Sequence, residues 1–140
     1  MPVELKERIL IPIHFSEVDV LNMVWHGHYI RYMEDGREAF GKKYDLGYRD
    51  MYNKGFLAPI VKLETEYKRQ LTYHDSAIVE TTFIDDRAAK IIFDYKIYKV
   101  SDESLVFTAR TIQVFLSKDG ELQLTIPDFF EAWKKQWLQA

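Results

Sequence analysis

Cysteine is absent from all 140 residues. The chain therefore has no disulfide framework, no thiolate nucleophile and no cysteine-ligated zinc. A domain of this length buries roughly 68–70% of the surface its unfolded chain exposes, so it folds without covalent staples. No apolar run approaches the roughly 18 residues of a membrane span. The N-terminus also lacks the charged-then-apolar pattern of a secretory leader. Together these absences set the expectation of a soluble, cytoplasmic protein with no membrane insertion. A basic surplus is missing too. Nineteen Lys and Arg stand against 22 Asp and Glu, for a formal net charge of −3, which argues against a nucleic-acid partner. Glycine is sparse at six residues. None of them builds a phosphate-cradling loop, and no Gly-x-Ser-x-Gly elbow of a serine hydrolase occurs.

What is present is apolar, aromatic and strongly patterned. Aromatic residues make up 15% of the chain, enough for a core and also for a pocket that takes an acyl or aryl group. From Val3 to Phe15 apolar and polar residues alternate, the period of a strand with one buried face. Pro12 cannot donate to a sheet ladder, which puts this strand at an edge. Residues 56–71 form a second strand, and Pro59 marks it as an edge or its entry. Three proline-free strands follow at about 77–85, 89–100 and 105–117 and are expected at the centre. Short Asp- and Ser-rich turns join them, as antiparallel neighbours require. Residues 45–55 read as a loop with one short helical turn, and Pro127 opens a closing helix with an apolar stripe of Phe129, Phe130, Trp133 and Trp137.

One long helix interrupts the strands. Tyr29, Met33, Gly36 and Phe40 recur at helical spacing. Arg31, Glu34, Asp35, Glu38 and Lys42 fall on the other side. Gly36 lies inside the apolar stripe, where a glycine costs up to ~1 kcal/mol relative to alanine. Close approach of this face to a flat sheet accounts for it. A single helix without βαβ alternation means an α+β fold with an antiparallel sheet, organised as one domain over residues 1–140.

The chemistry lies in the loop before that helix. Asp19 precedes the helix start by about seven residues. The first N–H groups of a helix have no internal partner and carry partial positive charge. A carbonyl oxygen held there, with Asp19 or a water beside its carbon, makes an acyl-transfer or hydrolysis site. The same acid also has a plain role as the cap of a turn. Glu17, two residues away, reads as a solvated strand-end acid. His26-Gly-His28 with His14 invites a metal reading, but a His-x-His entering a helix points its rings apart and no second-shell carboxylate is evident. No metal is expected.

The run Asp19-Val-Leu-Asn-Met-Val-Trp-His26-Gly-His-Tyr29, followed by Tyr32-Met-Glu34-Asp-Gly-Arg37, resembles the signature of the hotdog-fold acyl-CoA thioesterases of the 4-hydroxybenzoyl-CoA thioesterase type. Asn22 departs from the pattern, where many members have Gly; Asn is the next best residue at positive φ. The resemblance implies a curved five-stranded antiparallel sheet wrapped around a long central helix, with strands one and two at the edges and a C-terminal helix. It implies hydrolysis of an acyl-CoA, or second an acyl-carrier-protein thioester, without any cofactor. Asp19 would be nucleophile or general base, and the backbone N–H at His26 would polarise the carbonyl. Trp25 would wall the acyl pocket, and Tyr29 would be core or line the site. Arg87 and Lys90, ahead of Lys68 and Arg69, would meet the CoA phosphates; all four also read as ordinary solvated charges. Glu34 and Arg37 would pair or brace the loop or a partner subunit. A homodimer or homotetramer with the site at the subunit interface would follow. A non-catalytic acyl-thioester binding protein on the same fold is the alternative, and a purely structural dimer the third reading.

Overall fold

The computed structural model describes residues 3–139, so Met1, Pro2 and Ala140, the ends of the expected 1–140 domain, lie outside the described residues. Strand β1 (Lys6–Pro12) leads through a single 3-10 turn (Phe15–Glu17) and a loop into α1 (His28–Tyr44). After α2 (Tyr48–Asn53) come β2 (Phe56–Leu57), β3 (Ile60–Tyr67), β4 (Ser76–Ile84), β5 (Lys90–Lys99), β6 (Leu105–Val114) and β7 (Leu116–Ser117), and α3 (Asp128–Leu138) closes the chain. The five long strands form one antiparallel sheet in the order β1-β4-β5-β6-β3. Both proline-marked strands are at its edges: Pro12 ends β1, and Pro59 stands just before β3, at its entry. No helix among the described residues is long and apolar enough to cross a membrane.

Two expected strands are divided. Residues 56–71 break after Leu57, where Ala58 and Pro59 separate β2 from β3. Proline removes a ladder donor at that point, and β2 instead joins β7 in a two-stranded ribbon. The last strand likewise splits at Phe115 into β6 and β7. Phe15, expected on the buried face of the first strand, sits in the 3-10 turn and is exposed. The turn breaks the two-residue alternation that would have carried it inward.

Helix α1 lies on the sheet with Tyr29, Met33, Gly36 and Phe40 buried, as their spacing requires. A Cβ on Gly36 would stand 2.6 Å from the Thr81 Oγ1 and 2.8 Å from a Val79 methyl, both on β4. The glycine is thus the point of closest approach between helix and sheet. Phe40 is fully buried and packs edge-on to Phe93 at 5.0 Å. Phe83 links this cluster to Phe130 and Trp133 of α3. Aromatic packing of this kind holds α1, the sheet and α3 together, and truncating one such ring costs about 3–5 kcal/mol. Strand β3 differs from its neighbours, since all eight of its residues are exposed.

Candidate active site

The segment that enters α1 folds back on itself as a small hairpin. The Trp25 N–H donates to the Glu17 carbonyl at 3.0 Å, Val18 bridges Val24, and the Asp19 N–H donates to the Met23 carbonyl at 2.8 Å. Its tip turns because Asn22 adopts φ of +62°, a left-handed conformation that asparagine tolerates better than other residues with side chains. Asn22, the departure noted in the sequence, thus takes the positive φ at which asparagine is the next best residue after glycine. The hairpin docks through the Val24 N–H on the Leu71 carbonyl (2.9 Å) and the Tyr73 N–H on the Asn22 Oδ1 (3.3 Å).

Asp19 is exposed on this hairpin. Its Oδ1 accepts the Leu21 N–H at 2.8 Å and the Met23 N–H at 3.3 Å. Among the described residues its Oδ2 has no partner. Asp19 thus caps its own turn with one carboxylate oxygen and presents the other to solvent.

Glu17 corrects the sequence reading. It is only 3% exposed rather than a solvated strand-end acid. One of its oxygens accepts the His14 N–H at 2.6 Å. The other is ion-paired with the Arg31 guanidinium on the first turns of α1. The carboxylate is drawn inward because these two donors replace its water, the condition under which a charge can be buried. This pair ties the Asp19 hairpin to the helix it faces.

The start of α1 is open to an incoming group. Gly27 occupies the N-cap with no side-chain cap, and no acid lies in the first turn. Among the described residues the His26 N–H has no hydrogen-bond acceptor. The His26 carbonyl accepts the Tyr67 hydroxyl at 2.8 Å, which orients the His26–Gly27 peptide. Trp25 is about half exposed, at 52%. Its ring covers Gly27 so closely that a Cβ there would lie 2.1 Å from it. His26 and His28 pack against the same ring, at 4.9 and 5.4 Å between centroids.

The remaining sequence-derived residues separate into core and periphery. Tyr29 is buried, stacks on Phe107 at 5.1 Å, and its hydroxyl accepts the Leu71 N–H at 3.2 Å. Burial pushes its phenol above the ordinary range. Tyr29 thus supports, through Leu71, the β3–β4 segment on which the hairpin docks. Arg87 and Lys90 sit at the β4–β5 turn. Pro12 pairs with Ser76 and Lys6 with Thr82, so the Asp19 hairpin lies at the opposite end of β4. Nine residues of strand, roughly 27–30 Å, separate the two ends. The structure therefore does not bring Arg87 and Lys90 to Asp19 within one chain.

Sequence reasoning missed three residues here. Tyr67 lies within the 56–71 strand, and nothing in the strand pattern shows that its hydroxyl reaches 41 positions back. Arg31 was placed on the solvated face, although its spacing from Glu17 contains the hairpin that lets them meet. Arg37 is expected either to pair with Glu34 or to brace the loop or a partner subunit. It is in fact buried, with no ion pair to Glu34 among the described residues.

Comparison with known proteins places this geometry in context. The profile of the family described as the Thioesterase-like superfamily matches residues 13–134. The chain is 32% identical over 129 residues to the candidate acyl-CoA thioesterase YneP of Bacillus subtilis (strain 168), covering 89% of this chain and 93% of that protein. Among solved structures, the DHNA-CoA thioesterase from Staphylococcus aureus superposes with a TM-score of 0.80 at 23% identity, over 94% of this chain and 90% of that one. A 4-hydroxybenzoyl-CoA thioesterase bound to 4-hydroxybenzoyl-CoA superposes with a TM-score of 0.79 at 22% identity, over 92% and 98% of the two chains. These two likenesses establish the hotdog architecture.

Proposed function

The chain belongs to the thioesterase-like superfamily, and from that membership we propose that it is an acyl-CoA thioesterase, cleaving an acyl or aryl thioester to free acid and CoA, with acyl-carrier-protein thioesters as the second class. The observation that carries this reading is the 32% identity to YneP across 89% of the chain. In this reading the thioester carbonyl lies at the N-terminus of α1. Its oxygen accepts the free His26 N–H, and the positive helix end stabilises the charge that develops there. The free oxygen of Asp19 supplies the attack. As general base it takes a proton from water as the water oxygen bonds to the carbonyl carbon. The tetrahedral intermediate then expels the CoA thiolate, which recovers the proton. As nucleophile its carboxylate oxygen bonds to the carbonyl carbon, the C–S bond breaks with release of CoA thiolate, which takes up a proton from water, and water then opens the acyl-Asp19 anhydride to free acid and Asp19. Both routes use the same atoms and need no cofactor. Trp25 walls the acyl group where its ring covers Gly27.

The working unit in this proposal is at least a homodimer, assembled from 1–140 domains in the cytoplasm. β3 is an edge strand with every residue exposed, including Val61 at 59% and Leu63 at 40%. An exposed edge strand whose unpaired backbone is flanked by Val61 and Leu63, among Lys62, Glu64 and Glu66, is open to pairing with a second copy. Antiparallel pairing of two β3 edges would turn the β4–β5 end of one sheet toward the hairpin end of the other. Arg87 and Lys90 would then serve the CoA phosphates across the interface.

Release of free thiol from a panel of short, long and aryl acyl-CoAs tests the proposal, with wild type beside Asp19→Asn. Turnover by wild type, lost in a folded Asp19→Asn variant, is expected. Full turnover in that variant would remove Asp19 from the mechanism. The alternative, a non-catalytic acyl-thioester binding protein, draws on Asp19 already capping its own turn. Saturable acyl-CoA binding without any thiol release would establish it.

A further inference from the structure

A cavity of about 620 Å³ opens between α1, α2 and the β5–β6 face, with Arg37, Gln113, Ile91 and Phe93 among its lining residues. Arg37 is only 8% exposed. Its Nη1 donates to the Tyr95 hydroxyl at a long 3.3 Å, while Tyr95 and Thr111 share a hydrogen bond of 2.9 Å. The Tyr48 ring covers the guanidinium at 5.5 Å. The Arg37 Nε is buried without a partner. Among the described residues no carboxylate forms an ion pair with Arg37. Gln113, 1% exposed, donates through Nε2 to the Ala58 carbonyl at 2.7 Å, and its Oε1 is unpartnered.

A buried cation without a counter-charge is among the costliest arrangements a fold can hold. Here a buried guanidinium that Glu34 influences only through space, without an ion pair, lines an empty volume. Helix α1 also connects that volume to the proposed reaction centre. Gly27, Ile30, Glu34, Arg37 and Gly41 recur at the spacing of one helical face. Glu34, Arg37 and Gly41 of that stripe line the cavity, and Ile30 is an exposed apolar residue one turn nearer the helix start. Gly27 and Arg37 are roughly 15 Å apart along the axis. The reach is shorter than that, because helical side chains lean toward the N-terminus.

We propose that this cavity receives the far end of the acyl group, and that the acyl group it is built for ends in a carboxylate. The inference rests on the thioesterase reading for its substrate. A carboxylate oxygen accepts the Arg37 Nε–H, and a water carried with it donates to the Gln113 Oε1. Ile91 and Phe93 enclose the methylene chain. Glu34, Glu38 and Asp50 at the mouth are exposed, as are Lys42 and Arg49. Solvent screens these five charges, and Glu34 favours the charged guanidinium through space without pairing with it, so Arg37 keeps its donors for an anion that reaches it. The distance along α1 selects a chain of medium length over a short one.

The test compares chains matched in length on the intact protein: adipyl-CoA against hexanoyl-CoA, and suberyl-CoA against octanoyl-CoA. Wild type is expected to turn over suberyl-CoA with at least tenfold higher kcat/KM than octanoyl-CoA. Arg37→Met is expected to bring that ratio near one, and Arg37→Lys to retain part of it. Equal or better turnover of octanoyl-CoA by wild type overturns the inference while leaving the thioesterase reading intact, and it does so whether or not Arg37→Met folds. A preference that survives in folded Arg37→Met overturns it as well. Calorimetric titration with free suberate separates the two readings. Arg37-dependent binding without hydrolysis of any thioester upholds the anion site and removes the enzyme. Absence of suberate binding together with absence of a preference removes the site.

Discussion

Replacing Glu17 with glutamine keeps the shape of the side chain and removes its charge, which isolates what the buried carboxylate does. Glu17 is surrounded by donors: the His14 N–H at 2.6 Å on one oxygen and the Arg31 guanidinium on the other. Glutamine has one oxygen and one NH₂, so either orientation turns a donor toward a donor. One buried N–H is left unsatisfied, at about 1–3 kcal/mol. The charge-assisted bond to Arg31 is lost as well. Arg31 is half exposed and water rehydrates it, which recovers part of that energy. A net loss of about 2–4 kcal/mol follows, concentrated in the hairpin and not in the sheet. Local opening then precedes global unfolding. Urea unfolding should therefore show a modest shift in midpoint, while kcat/KM for thiol release falls at least tenfold if, as proposed, the hairpin positions Asp19 against a carbonyl held at the His26 N–H. Glu17→Asp, which keeps the charge but shortens the reach, should fall between. A Glu17→Gln variant with wild-type turnover and stability would refute the reasoning. It would mean that the hairpin is held by its backbone bonds alone.

Other substitutions probe separate contacts. Gly27→Ala forces the Trp25 ring off the helix start, since the new Cβ would lie 2.1 Å from it. Trp25 is half exposed, so stability should change by less than about 1 kcal/mol, while indole fluorescence shifts red and acyl-CoA turnover drops. Gly36→Ala sets a gain of up to ~1 kcal/mol in helix propensity against overpacking of about 1–3 kcal/mol on Thr81 and Val79. A net loss in a thermal melt is expected, and a gain would show that the helix does not sit so close to β4. Tyr32 is buried with an unpartnered hydroxyl and a phenol pushed up to about 12, chiefly by desolvation. The unfolded phenol ionises first, near 10, so this stabilisation is intact below pH 10 and lost as pH rises toward 12. The loss approaches about 2–3 kcal/mol. Tyr32→Phe should flatten that alkaline decline in urea midpoints measured from pH 8 to 11.5, and should be neutral or slightly stabilising at pH 8.

Features decided by neighbours a few positions apart, or by the stereochemistry of one residue, were legible in the chain itself. Strand alternation located the sheet, Pro12 marked one edge because a missing N–H has the same consequence in any fold, and Pro59 marked the entry to the other edge strand. The helical stripe and Gly36 foretold a helix pressed against a sheet, and the Val79 and Thr81 contacts are that sheet. Asn22 could be assigned a left-handed turn because few other side chains tolerate one. Tertiary structure decided which charges are buried and with whom. Glu17 and Arg31 are fourteen residues apart and meet only because the hairpin folds between them. Arg37 is drawn under Tyr48 and onto Tyr95, 58 positions away, and not onto Glu34 three residues before it. Arg87 and Lys90 are carried to the far end of the sheet by the length of β4. Local patterns follow from short-range sterics and periodicity, which the order of residues states directly. The energy of a charge follows from what is packed around it, and only the closed chain brings those groups together.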